Sequence, residues 1–447
     1  MIRLSQSNHY IIVFALFAII ISSCDASNHL RGHLEDHQNK HLYSSHKSGN
    51  PITAVIFGFL CVTGAFAMLW YNERRQAITE YRLEEAKKQC TSVNSAEVNP
   101  NTNHQLIHTN GESRTNDLVV DAAFGLSLKD CIKLVRTVEM YQWVRKSREE
   151  NKRTVYYYVQ EWSTIFHEDC GEGHFNDKTK WIVEQETQVN LNVRIGAYLM
   201  SKSLAEQTNA KESIPMASNN AQSVSNFYGL VRGFQNYEAN GQYIYFQQNK
   251  GTVTMNDLRV SFNASKTGPT TVVSQQQNDT FTPFVIHDKF EQTLARDENL
   301  EDMQCSCATC CCFCCKVCRA LEKPLTEIDW IYETILTQNQ VFKKKAEENA
   351  CFTLAQRIGG YVLMGIGFCL IFSPISWLIS LFPLVGNFLA SITGFVFFLV
   401  SFIISIPFSL LTIAFAWLFY HPKYGIALIA LSGLIGAGIY FYIKSQS

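Results

Sequence analysis

The chain has 447 residues, and its 38 Lys and Arg against 39 Asp and Glu leave a formal net charge of −1 at pH 7. That balance creates no field for a nucleic acid, and no nucleic-acid partner is expected. The hydrophobic share of 47% is inflated by a few long uncharged runs. The rest, about Asn72 to Ala350, is polar and long enough for a core of its own.

Met1 to Ala26 carries Arg3, an apolar run from Tyr10 to Ile21, and then Ser22-Ser23-Cys24-Asp25-Ala26. This is the layout of a secretory signal peptide cleaved after Ala26; an uncleaved anchor or a mis-assigned gene start gives the same pattern. Residues 27–50 form a polar tail with His at 29, 33, 37, 41 and 46, an irregular rhythm that suits no fixed metal geometry. No metal site is assigned there, and no cofactor is expected. Ile52 to Tyr71 is uncharged and closed by Trp70 and Tyr71. At 1.5 Å per residue about 20 residues cross a bilayer core, so 51–71 is expected to be a first transmembrane helix. Asn72 to Gln89 mixes Glu with Lys and Arg among good helix formers and is expected to prolong that helix.

From Glu97 the texture changes to short β-type runs. Gln105 to Thr109, Ile132 to Val144, Thr154 to Ser163, Gln242 to Gln247, Val253 to Phe262 and Phe281 to His287 are rich in Val, Ile, Tyr, Phe and Thr. Two hairpins are predicted, one closed by the charged loop Arg145 to Arg153 and one by Asn249-Lys250-Gly251. Val189 to Gln207 is expected to be helical, and Lys211 to Ser225 to be a loop or locally disordered. The fold class is therefore a multi-pass α-helical membrane protein with a large, strand-rich α+β extramembrane domain over 72–350.

From Ile358 to Pro422 there is no charged residue, and Tyr424 to Ile443 is again uncharged. Within 352–443 three crossings are placed near Phe352 to Trp377, Ile392 to Trp417 and Tyr424 to Ile443. The breaks are assigned to Ser373-Pro374, Phe382-Pro383 and His421-Pro422, with a kink at Pro407. The glycines at 359, 360, 365 and 367 fit close helix packing in lipid, not a nucleotide loop.

No nucleophile with a base, carboxylate pair, metal-binding helix or phosphate loop has a supporting context, so no catalytic residue is named and no enzyme is expected. Glu139, beside Tyr141 and Trp143, fits a strand position with a satisfied hydrogen bond. His108, His167 and His174 have no spacing that links them. The strongest local chemical signal is Cys305, Cys307, Cys310, Cys311, Cys312, Cys314, Cys315 and Cys318 in the segment 305–318. Disulfides suit it in an oxidising compartment, and acylation suits it in the cytosol; a thiolate-bound metal is a third alternative. Two glycosylation acceptors occur, Asn263-Ala264-Ser265 and Asn278-Asp279-Thr280.

Several segments form one ordered series along the chain. They begin with Tyr71-Asn72-Glu73-Arg74-Arg75-Gln76-Ala77 and continue through Leu106-Ile107-His108, Gly111, Asp121 and Phe124-Gly125. The most specific is Arg136 to Val144, followed by Tyr158, Glu161-Trp162, Ile195-Gly196, Leu199 and Ser201. Asp257 to Phe262 and Trp417 to Pro422 complete the series. Together these segments resemble the transmembrane protein 43 family, also called LUMA. The resemblance implies four spans around a domain facing the lumen of the endoplasmic reticulum. It also implies residence in the endoplasmic reticulum membrane and inner nuclear membrane, a homo-oligomer, and a scaffolding role towards nuclear envelope membrane proteins and the lamina.

The signal-like start and the Cys cluster depart from the family. A cleaved signal would place the domain in the cytosol, and Arg74, Arg75, Arg82, Lys87 and Lys88 after the first span agree with that side, as do Lys343, Lys344, Lys345 and Arg357 before the second. The expected function is a non-enzymatic membrane scaffold embedded in the lipid bilayer. The alternative is a membrane-bound enzyme or lipid-handling protein acting at the bilayer surface. A channel ranks third, because the spans hold no charge to line an ion path except Lys423 near a loop.

Overall fold

The computed structural model describes residues 51–420 apart from 151–152, 169–170, 172, 229–233, 287–324 and 381–385, together with 426, 427 and 430. The candidate signal peptide, the His tail and the whole Cys cluster from Cys305 to Cys318 lie outside the described residues. So does nearly all of the expected crossing Tyr424 to Ile443. The chain divides into two compact units, one of 1–85, 287–325 and 342–447 and one of 86–286 and 326–341.

The first unit is built on three long helices, α1 (Pro51–Gln89), α2 (Gln338–Ser380) and α3 (Gly386–Tyr420). Stretches of all three are long and apolar enough to cross a membrane: Ile52–Gln89, Gln338–Ile375 and Thr393–Tyr420. At 39 residues α1 measures about 58 Å, roughly twice a bilayer core, so its charged half extends well past the apolar run, as the sequence suggested.

The expected break at Ser373-Pro374 does not occur: α2 passes through Pro374 to Ser380. Proline removes the N–H that would bond the carbonyl four residues back, at Leu370, and the Ser373 hydroxyl donates to that same carbonyl at 2.8 Å. Pro407 likewise lies inside a continuous α3.

Small residues let α1 and α2 approach closely. A Cβ on Gly58 would stand 2.7 Å from the Gly367 carbonyl, and one on Gly360 would stand 2.6 Å from Leu69. Contacts step from Gly58 and Gly367 through Leu69 and Gly360 to Asn72 and Thr353, so the two helices run antiparallel. Ala65, Leu69 and Met364 are fully buried between them, with Phe66, Phe368 and Ile413 packed around.

The second unit holds two seven-stranded sheets. The main strands are β1 (Leu106–Arg114), β2 (Cys131–Glu150), β3 (Arg153–Ser163), β4 (Tyr243–Gln247), β5 (Leu258–Lys266), β6 (Pro269–Gln277) and β7 (Thr280–Thr282). In the first sheet β1 pairs with β6 and with Arg194–Ile195; the path then runs through Tyr198–Leu199 and β7 back to β6, closing a ring of five strands. The second sheet runs Asn236–Asn240, β4, β5, β2, β3, with Glu212–Ser213 also on β5 and Glu186–Val189 on β2.

Alternation fixes which face is inside. On β5, Leu258, Val260, Phe262 and Ala264 are buried while Arg259, Ser261 and Asn263 face the other way. The inner set joins Val138, Met140, Ile244, Phe246 and Phe124 in one core. A second core gathers Ile107, Ile195, Tyr198, Leu204, Val272 and Phe281 around the other sheet.

Both expected hairpins form. The charged loop Arg145 to Arg153 is mostly strand, because the β2–β3 ladder continues to Glu150 opposite Arg153. Val189 to Gln207 is not a helix. It holds the strand pair Arg194–Ile195 and Tyr198–Leu199 and only a six-residue helix, Lys202–Gln207. The cause is Gly196, at φ +61°, whose missing Cβ lets the Ser95 carbonyl approach.

Lys211 to Ser225 is also ordered, as the strand Glu212–Ser213 and the start of a helix, Ser218–Tyr228. Ala221 and Val224 provide that helix with a narrow buried stripe, and Asn220 donates to the Phe124 carbonyl at 3.0 Å. Val253 to Thr254 precede rather than join β5, because the Asp257 carboxylate accepts from the Thr254 N–H at 2.8 Å and closes a turn there.

Candidate functional site

The alternation that buries Leu258 and Val260 leaves Arg259 on the outer face of the second sheet, and the same rule puts Glu139 and Tyr245 beside it. Register places Tyr245, Arg259 and Glu139 in one row across β4, β5 and β2, with Tyr141 opposite Trp162 in the next. Glu139 accepts from Arg259 Nε at 2.7 Å and from its Nη2 at 3.0 Å. The guanidinium lies 4.4 Å from the Tyr243 ring centre and 4.6 Å from that of Trp162. Trp162 in turn meets Tyr141 at 5.4 Å and Tyr245 at 6.0 Å.

Burial pulls the Arg259 pKa down, and the hydrogen bonds and charge of Glu139 reverse this, leaving it above its ordinary value. Such a platform offers aromatic faces and a fixed cation, a composition typical of contact surfaces. It supplies no nucleophile beside a base.

A second constellation anchors the same sheet from within. Arg136 bonds Asp121 and Glu186, each at 2.6 Å, and lies over the Phe124 ring at 5.4 Å. Gly125 ends the turn after Phe124 at φ +57°, and a Cβ there would collide with Ser223. The Asp121, Phe124-Gly125 and Arg136 elements picked out in the sequence thus serve one joint.

In the helical unit, the segments around Glu73 and Trp417 meet although 344 positions separate them. Glu73 is fully buried and receives Arg357 through Nε at 2.7 Å and Nη2 at 2.6 Å, while the Trp417 indole N–H donates to it at 2.5 Å. Beside it on α1, Arg75 reaches Asn349 at 2.9 Å and Thr353 at 2.8 Å, and Asn72 donates to the Thr353 carbonyl at 3.2 Å. Carboxylate, guanidinium and indole tie α1, α2 and α3 at one level, where an unpaired charge would be very costly.

The histidines are not brought together. His108 bonds Ser92 at 3.2 Å and the Leu336 carbonyl at 2.9 Å, and burial lowers its pKa against the opposing pull of that carbonyl. His174 stacks on Tyr158 at 4.2 Å, and His167 faces Ser163 at 3.3 Å.

Among the described residues no group of three or more His, Cys, Asp or Glu could hold a metal ion. A cavity of about 190 Å³ lies in the strand-rich unit, lined by Lys211, Glu212, Lys266 and Glu333. Its Glu333 is already engaged by the Asn209 N–H at 2.6 Å and Ser265 at 3.2 Å.

Asn263 sits in the interior of the second sheet and Asn278 in an exposed turn. Glu139 has the satisfied strand position that its neighbours suggested. Sequence reasoning missed the roles of Arg357 and Arg259. The available signal for Arg357 was that one Glu follows the first uncharged run and one Arg precedes the second, a pair of opposite charges at matching depth.

A sequence model of the family described as Transmembrane protein 43 matches residues 140–422. The chain belongs to the transmembrane protein 43 family. Transmembrane protein 43 of Pongo abelii and that of Homo sapiens are each 26% identical to it over 398 residues, covering 84% of this chain and 86% of theirs. The Transmembrane protein 43 homolog of Drosophila melanogaster is 26% identical over 171 residues, 34% of this chain and 45% of that one. No solved structure matches significantly. In this membrane protein of the transmembrane protein 43 family, the matched stretch takes in Trp162, Arg259, Arg357 and Trp417, whereas Glu73 and Asp121 precede it.

Proposed function

We propose that this chain is a non-enzymatic membrane scaffold of the endoplasmic reticulum and inner nuclear membrane. Its strand-rich unit faces the lumen and binds other copies of the chain and nuclear envelope membrane proteins. The observation that carries the reading is the outer sheet face of Tyr141, Trp162, Tyr243, Tyr245 and Arg259, whose chemistry is that of a contact surface. Membership of the transmembrane protein 43 family over 140–422 supports the placement in internal membranes.

The test uses the full chain in cells, wild type against Trp162→Ala with Tyr245→Ala. Chemical cross-linking should capture oligomers of the wild type, and proximity labelling should return a reproducible set of nuclear envelope neighbours. The double variant should lose both while keeping its thermal unfolding midpoint within a few degrees. A monomeric wild type with no neighbours above a control membrane protein would end this reading.

A further inference from the structure

We infer that Asn278, and not Asn263, is a site of N-linked glycan attachment. The inference rests on the lumenal placement proposed above, and the structure separates two acceptors that the sequence leaves equal. Asn278 is exposed, as are Gln277 and Asp279 on either side. It occupies the two-residue turn between β6 and β7, where Gln277 pairs with Thr280, and its φ of +57° is one that Asn tolerates better than most residues. A sugar on its Nδ2 projects from a hairpin tip and displaces no packed side chain.

Asn263 is half-buried on the outer face of the second sheet. Its strand is interior, with Val135 facing it on β2 and Ser213 on the other side. Side chains of directly opposed strand residues stand only about 5 Å apart, so a sugar there would press on both neighbours. Ser213 is itself held by Gln242 at 2.7 Å.

The hydroxyls of the two triplets do not discriminate. Thr280 donates to the Leu199 carbonyl at 3.1 Å and Ser265 to Glu333 at 3.2 Å, so both are engaged once the unit has folded. Attachment therefore requires the hydroxyl to be released, which local opening of the hairpin tip allows at Thr280 and the paired interior strand resists at Ser265. The chemistry is a substitution without redox change. Nδ2 of Asn278 forms a bond to the anomeric carbon of an oligosaccharide donated by a lipid pyrophosphate carrier; the bond from that carbon to the pyrophosphate breaks, and the amide loses one proton.

The experiment is expression of the full chain in mammalian cells and comparison of gel mobility before and after enzymatic glycan removal, for wild type, Asn278→Gln and Asn263→Gln. The expected result is a single mobility step, abolished by Asn278→Gln and retained by Asn263→Gln. A step lost in Asn263→Gln but kept in Asn278→Gln overturns the inference, as does a two-step shift from which each variant removes one.

If the wild type shows no step, the inference also fails, and one further variant says why. Gln242→Thr completes an acceptor triplet that begins at exposed Asn240 in the turn around Gly241. A step in that variant keeps the lumenal placement and discards only the site. No step there discards the placement itself.

Discussion

Each unit builds the same chemical trio, a carboxylate held in two hydrogen bonds by an arginine beside a tryptophan, but in different surroundings. Among the helices, Glu73 is 0% exposed, and Trp417 spends its indole N–H on the carboxylate. On the sheet, Glu139 and Arg259 are 17% and 19% exposed, and Trp162 lies under the guanidinium at 4.6 Å, closer than the 5.5 Å between Arg357 and the Trp417 ring centre. Where the carboxylate is fully buried, the indole serves as a hydrogen-bond donor that completes the coordination of the anion. Where the carboxylate is partly exposed, the indole serves as a flat apolar surface that a partner could share. Both rings lie against their guanidinium; what separates the two trios is the full burial of Glu73 and the indole N–H bond that goes with it.

The largest expected effect is from Arg357→Ala, which leaves Glu73 as an uncompensated buried charge and should cost about 3–5 kcal/mol. Thermal unfolding of the detergent-purified chain would show this as a collapse of folded yield. Trp417→Phe keeps the ring and removes one charge-assisted hydrogen bond, so a loss of about 2 kcal/mol is expected. Arg259→Ala should cost about 1–2 kcal/mol, because water can partly replace the lost partner. If Arg259→Ala proved as damaging as Arg357→Ala, burial would not be what distinguishes the two trios.

The smallest expected effect concerns pH. Burial depresses the His108 pKa in the folded state, opposed by the Leu336 carbonyl, so the fold favours the neutral ring. As pH falls below the ordinary histidine value of about 6.5, the unfolded chain takes up a proton that the folded chain resists, and stability declines. Unfolding midpoints at successive pH values should show that decline in the wild type and a flatter profile in His108→Gln.

Three of the four expected membrane helices and the two hairpins were legible because they rest on signals confined to a few neighbouring residues: charge-free runs of bilayer length, and alternation that buries every second residue. The stretch from Val189 to Gln207 was not, because its apolar spacing also suits a helix and only the close approach of Ser95 to Gly196 decides for a turn. The uninterrupted passage through Pro374 depended on one serine placed one residue earlier. Pairings such as Glu73 with Trp417 join positions far apart in the chain, and no local pattern announces them.

The antiparallel contact of α1 and α2 is pinned at two levels, by Gly58 against Gly367 and by Glu73 against Arg357. A slip of either helix by one turn, about 5.4 Å, would push a side chain into the glycine notch and pull the arginine off its acid in the same movement. The pair therefore acts as a depth gauge: a thinner or thicker lipid layer must be met by tilting the helices together, since they cannot slide past one another to adjust.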